Sequence, residues 1–203
     1  MSRITELKMQ KNKTRVNLYL DGEFACGMEL FAVVKNGLKV GSEITKDQLV
    51  SLQEESDKAI VFEKALNLVE RQLYTKKQLK TKLLSKGYSE VAITSAIKRL
   101  EEYNYINDEK FASSYLNSVN GKSKKEIEVL LKAKGISDDV IISTLDEYDG
   151  IEEKECRRLV DKYMRYKDQS EDNKKKLFAF LYRKGFPVEL INTEINNFFN
   201  GEF

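Results

Sequence analysis

The chain has 203 residues, 33% of them charged, with a formal net charge of +2 and no histidine. Without an imidazole there is no Ser-His-Asp or Cys-His nucleophile system, no HExxH zinc site and no imidazole acid–base step. No run of about 18 apolar residues and no basic-then-apolar leader occurs, which reads as a soluble, cytoplasmic protein with no membrane partner.

Residues 1–57 read as a small β-containing head. Val16, Leu18 and Leu20 alternate with polar neighbours, Asp21-Gly22 follows, and Phe24, Cys26 and Met28 alternate again. An Asp-Gly between two period-2 runs is a strong short-range hairpin signal. Residues 4–9 offer a third strand, joined through the polar connection Lys11-Asn12-Lys13. Glu29 to Asn36 reads as a short helix stopped by Gly37, and Thr45 with Gln48 as a capping box opening a helical stretch. Whether that stretch breaks near Glu54-Glu55-Ser56-Asp57 is open at this level.

From there the chain repeats itself. Lys86-Gly87, Lys134-Gly135 and Lys184-Gly185 each end one amphipathic run and precede another, and the glycines are 48 and then 50 residues apart. Before each glycine stand Leu79 and Leu83, Ile127 and Leu131, Leu177 and Leu181. After it stand Tyr88, Ile136 or Phe186, then Ile93 and Ile97, Ile141 and Leu145, Ile191 and Ile195. Each pair is four residues apart and shares one helix face. Thr75 with Gln78 and Ser123 with Glu126 read as capping boxes, with Asn173 as the cap in the third copy. The glycines suit the left-handed residue that ends a helix. A further helix precedes each pair, carrying Phe62, Ala65, Leu66, Val69 and Leu73, then Phe111, Ala112, Tyr115 and Leu116, then Leu159, Val160, Tyr163 and Met164.

The expected fold is therefore mainly α. Three tandem three-helix repeats, 58–108, 109–150 and 151–203, form an elongated array preceded by the β-hairpin head. Each unit is too small to bury much apolar surface alone, so the units should stack.

Little in the sequence asks for catalysis. No GxxxxGK[ST] or GxGxxG occurs, and in the tail-like Gly121-Lys122-Ser123 a leucine, Leu116, stands where a phosphate loop needs its first glycine. Cys26 and Cys156 lack CxxC spacing and read as small buried hydrophobes, so neither a metal nor another cofactor is implied. The expectation is a non-enzymatic protein with no small-molecule substrate.

Charge is concentrated in the first repeat, with ten Lys/Arg against six Asp/Glu over residues 58–108. Its middle helix carries Lys76, Lys77, Lys80, Lys82 and Lys86, with Arg71 just before it and Lys98-Arg99 on the next helix. Lys174, Lys175, Lys176, Arg183 and Lys184 form a second cluster on the equivalent helix of the third repeat. A single lysine of this kind ordinarily solvates a helix face. A cluster recurring at equivalent helices is as readily an electrostatic footprint for phosphates or an acidic partner. For the interspersed Tyr74, Tyr88, Tyr103 and Tyr105, packing with the hydroxyl in water outweighs base stacking.

The stretch Ala65-Leu66, Arg71, Thr75, Leu79, Lys82-Leu83, Lys86-Gly87-Tyr88, Ile97, Leu100 and Tyr105-Ile106-Asn107-Asp108-Glu109-Lys110-Phe111-Ala112 resembles the RecX regulatory proteins of bacteria. Ile127, Leu131 and Lys134-Gly135-Ile136 extend the likeness, and Asn17 to Phe24 looks like the head of longer members. The resemblance covers essentially the whole chain, and its most specific part is the Tyr-Ile-Asn-Asp-Glu-Lys-Phe-Ala junction. It implies a negative regulator that binds the RecA recombinase filament on single- or double-stranded DNA and suppresses its ATPase, strand-exchange and coprotease activities. The alternatives are a stand-alone nucleic-acid-binding module and a helical scaffold for another protein. Lys110 and Lys124 stand where members commonly carry arginine, and lysine cannot make the bidentate fork. With the net acidic second repeat, this shifts the expected DNA contacts to the first and third. Asp108 is expected to cap the following helix and Phe111 to pack between repeats.

Overall fold

The computed structural model describes residues 1–11, 13–146 and 148–201, without the side chain of Asp149. Asn12, in the polar connection noted above, lies outside the described residues. The chain divides into two compact units, Met1–Ile106 and Asn107 onward.

The first unit opens with β1 (Ser2–Met9), β2 (Arg15–Leu20), β3 (Glu23–Glu29), the short helix α1 (Leu30–Lys35) and β4 (Glu43–Ile44). The strands form an antiparallel sheet in the order β3-β2-β1-β4. Asp21 and Gly22 both have positive φ (51° and 90°), the geometry a two-residue hairpin turn needs. Val16 pairs with Met28 and Leu18 with Cys26, and all four are buried. Phe24 departs from the expected alternation. A register shift after Leu18 pairs Phe24 with Tyr19, so it is exposed and packs edge-on against that ring at 5.8 Å. The two-residue β4 was not anticipated.

The helical stretch does not break. α2 (Lys46–Val69) runs for 24 residues, opened by the full Thr45/Gln48 capping box. Its polar middle is occupied by the head: the Ser56 hydroxyl, buried, accepts from the Glu29 N–H at 2.6 Å, and Glu55 pairs with Lys35 and accepts from Asn36. Leu52 belongs to the head core, while Val61 and Ala65 belong to the core of the first repeat. Leu73 lies beyond the helix and is exposed, so it is no part of that core.

α2, α3 (Lys76–Leu84) and α4 (Glu90–Glu102) make the first repeat. In the second unit, α5 (Asp108–Ser118), α6 (Lys124–Lys134) and α7 (Asp138–Asp146) make the second. α8 (Asp149–Met164), α9 (Glu171–Arg183) and α10 (Val188–Asn200) make the third. Leu79, Leu83 and Ile93, then Ile127, Leu131 and Ile141, then Leu177, Leu181 and Ile191 are all at most 2% exposed. Each such burial is worth roughly 1.5–3 kcal/mol, so each repeat is held by the same small set of positions. Gly87, Gly135 and Gly185 all adopt positive φ.

The caps differ in detail from expectation. Thr75/Gln78 is a complete box. Ser123 caps α6, but Glu126 turns away to Lys122 and leaves the box half made. In the third repeat the cap is Ser170, not Asn173. Asn173 sits three residues later, its N–H donating to Ser170 Oγ at 3.4 Å, while its side chain reaches back to Asp168. Likewise Asn107, not Asp108, caps α5, accepting from the Lys110 N–H at 2.9 Å. Asp108 then occupies the first turn, where a carboxylate complements the helix dipole.

The second and third repeats share a polar joint inside their unit. Ser123 Oγ donates to the Lys184 carbonyl at 2.7 Å, and Glu152 accepts from the Lys124 N–H at 2.7 Å. Tyr148, fully buried, donates through its hydroxyl to the Lys122 carbonyl at 3.2 Å. Its burial, with Glu155 and Glu152 nearby, pushes the phenol up to about 12. Arg157 clasps the buried Glu194 through two bonds at 2.9 and 3.2 Å. Cys156 lies in the third-repeat core, where burial, reinforced by Glu194 and Glu152, pushes its thiol up to about 12. Fully buried, it packs as a small core hydrophobe.

Candidate nucleic-acid and partner interface

In the first unit, α3 presents Lys76, Lys77, Lys80 and Lys82 as exposed side chains around the buried pair Leu79 and Leu83, and Lys86 is exposed in the turn that follows it. This follows from helical spacing, since the two leucines occupy one face and leave the others to charge. The lysines are not equivalent. Lys76 pairs with Glu101 at 2.6 Å and Lys80 with Glu90 at 3.1 Å, both carboxylates coming from α4. For Lys82 and Lys86 the described residues supply no ion pair. The uncompensated field of α3 therefore lies toward its C-terminal end. There the basic side chains also complement the negative end of the helix dipole.

On α4, Arg99 stacks over the Phe62 ring at 3.9 Å, which orients its guanidinium, whereas Lys98 is exposed without an ion pair among the described residues. Arg71 is exposed in the segment after α2. Tyr74 and Tyr88 are half-buried against the repeat core, as packing residues should be. Tyr103 packs edge-on against Phe62 at 6.4 Å but stays 60% exposed, and Tyr105 is 51% exposed. These two rings are open enough to meet a partner.

In the third repeat, the α9 cluster is similarly divided. Lys176 pairs with Asp172 at 2.6 Å, which raises the pKa of its ammonium. Lys174 lies over the Phe199 ring at 5.4 Å and Lys184 over Phe180 at 5.7 Å, both half-buried. Lys175 and Arg183 are exposed with no ion pair among the described residues. In the second repeat Lys134 is drawn over Phe111 and Tyr115 at 5.7 and 5.2 Å. Phe111 packs against the core of its own repeat and stacks with Tyr115.

Among the described residues no group of three or more His, Cys, Asp or Glu side chains could hold a metal ion, and no helix is long and apolar enough to cross a membrane. The arrangement suits surface recognition: cations on rigid helices, flanked by aromatic rings.

Comparison with known proteins decides the family. Family models match residues 2–45 as the regulatory protein RecX N-terminal domain, 62–100 as the first RecX three-helix domain and 152–194 as the third. "Regulatory protein RecX" of Clostridium botulinum strain Alaska E43 is 33% identical over 100% of this chain and 99% of that protein. The chain belongs to the RecX family. Another RecX-family relative, "Regulatory protein RecX" of Bacillus pumilus, is 30% identical over 100% of this chain and 80% of its own length. The crystal structure of RecX from Lactobacillus salivarius superposes with a TM-score of 0.64 at 31% identity, covering 70% of this chain and 96% of that one. A further RecX crystal structure shares the fold with a TM-score of 0.77 at 24% identity over 97% of this chain and 100% of that one.

One set of cations is masked in the sequence by its acidic neighbours. Arg157, Arg158 and Lys162 on α8, and Lys167 just after it, alternate with Glu152, Glu153, Glu155 and Asp161, so local net charge hides them. Only helical spacing separates their faces, and Arg158 with Lys162, four apart, is the signal that would have found them.

Proposed function

We propose that this protein binds the RecA recombinase filament on DNA and restrains its ATPase, strand-exchange and coprotease activities, acting in the cytoplasm as a modulator of recombination, DNA repair and the SOS response. The observation that carries this reading is similarity to RecX regulatory proteins along the full chain, head and helical repeats together. The exposed basic surfaces of the first and third repeats are the proposed contacts to filament and DNA backbone, through Lys77 and Lys82 on α3, Lys86 just after it, Lys98 and Arg99 on α4, and Lys175 and Arg183 on α9. Arg71, Lys76, Lys80, Lys174, Lys176 and Lys184 flank them. The role is read as regulatory because the relatives along the full chain are named regulatory proteins.

The uncompensated Lys82 and Lys86 equally favour a second reading, a stand-alone nucleic-acid binder. The two differ in salt dependence. Backbone binding to naked single strands weakens by roughly 0.7 log units per log of salt for each phosphate neutralised. Co-sedimentation with RecA-coated and naked single-stranded DNA at rising salt separates them. Retention on the coated strand at salt that frees the naked one is expected, and identical release from both would leave only the DNA binder.

A further inference from the structure

In the second unit a cleft of about 490 Å³ opens between α8, α9 and the segment before α6. We infer that this cleft is a second phosphate-reading site, which takes the sugar-phosphate backbone of a nucleic-acid strand. Arg158, Lys162, Lys167 and Lys184 line it, together with Tyr163 and Phe180, and no carboxylate is among its described lining residues. The inference rests on the filament reading for the source of the strand, and names where on this chain that strand is held.

Three features support a built site rather than a solvated face. Lys162, Lys167 and Lys184 have no ion pair among the described residues, in contrast to Lys76 and Lys80 on α3. Three uncompensated cations gathered around one concavity repel one another, and an anion relieves that repulsion. Arg158 is held in place by Glu155, which accepts from its Nε and Nη2 at 3.1 and 2.8 Å and also from the Gly121 N–H. Glu155 is itself 14% exposed, so its charge is spent on positioning rather than on closing the cleft. Gly121 suits the same close approach: with φ of 68°, an added Cβ would stand 3.3 Å from both Arg158 Nη2 and a Leu159 methyl, so those side chains would have to give way.

The chemistry favours phosphate over base. One side of the Tyr163 ring stacks on Phe180 at 5.2 Å, and Lys167 Nζ stands 3.0 Å from the ring centroid. The aromatic pair thus orients ammonium groups and leaves little ring face for a base to cover. A polymer fits better than a lone phosphate. Arg158 and Lys162 are one turn apart, about 6 Å along α8, and Lys167 follows beyond the helix end. The charges form a row that a string of phosphates can occupy.

The test is a double substitution in the full chain, Lys162→Gln with Lys167→Gln, read on binding of labelled oligo-dT to the protein alone across a salt series. Removing two contacts should lower the slope of log affinity against log salt by about 1.4. Lys162→Arg with Lys167→Arg should keep the slope, and far-UV circular dichroism should show both variants folded. An unchanged slope in the glutamine variant overturns the proposal. So does displacement of oligo-dT by millimolar inorganic phosphate beyond that produced by chloride of equal ionic strength, which would assign the cleft to the free anion. Because no RecA is present, the filament reading can fail without moving this result.

Discussion

Gly185→Ala should lower the unfolding free energy of the second unit by about 3 kcal/mol, whereas Gly87→Ala should cost its unit only about 1 kcal/mol. The two glycines hold the same place in their repeats and nearly the same φ, 85° and 83°. Both therefore carry the penalty of an L side chain in the left-handed region. What differs is the surroundings. A Cβ on Gly87 would meet nothing within 4 Å. A Cβ on Gly185 would stand 2.9 Å from Ser123 Oγ, with the Lys125 side chain at 3.4 Å. Ser123 cannot move aside cheaply, because its hydroxyl accepts from the Glu126 N–H at 3.1 Å and donates to the Lys184 carbonyl at 2.7 Å. Relief of the clash costs a helix cap, the joint bond between repeats, or both. Urea denaturation of each variant followed by circular dichroism measures the difference. Equal losses would mean that the second and third repeats do not meet at this serine.

Reversing charge at the end of α3 should affect binding most. Lys82→Glu with Lys86→Glu is expected to weaken association with RecA-coated single-stranded DNA by tenfold or more at ~0.1 M salt, with stability unchanged within about 0.5 kcal/mol. These two lysines are the informative pair because neither has a carboxylate partner among the described residues. The same reversal at Lys76 and Lys80 would set glutamates against Glu101 and Glu90 and mix a stability effect into the binding result. Fluorescence anisotropy with a labelled strand reads the affinity. An unchanged affinity would show that this face is merely solvated.

The repeat architecture was legible in the sequence because it rests on local rules. Glycines at near-constant spacing, apolar pairs four residues apart and the Thr75/Gln78 box are each decided within a turn or two of helix. The failures came where distant residues decide. The acidic run around Ser56 leaves a break undecided until the Glu29 N–H and Lys35 are seen to use it. Phe24 leaves the core because of a register shift at the neighbouring strand, which alternation cannot reveal. Ser170 outcompetes Asn173 as a cap although both are good capping residues, because Asn173 finds Asp168 instead. For the candidate surfaces, sequence placed the clusters but not their neutralisation. That Lys76 and Lys80 meet carboxylates from α4 depends on helix packing, and so does the gathering of Lys162, Lys167 and Lys184 at one cleft.

Restraint of RecA is read from RecA-catalysed ATP hydrolysis on single-stranded DNA titrated with this protein. Inhibition is expected at ratios well below one protein per recombinase subunit, where saturation of bare DNA is not the cause. Hydrolysis unchanged up to stoichiometric ratios would contradict it.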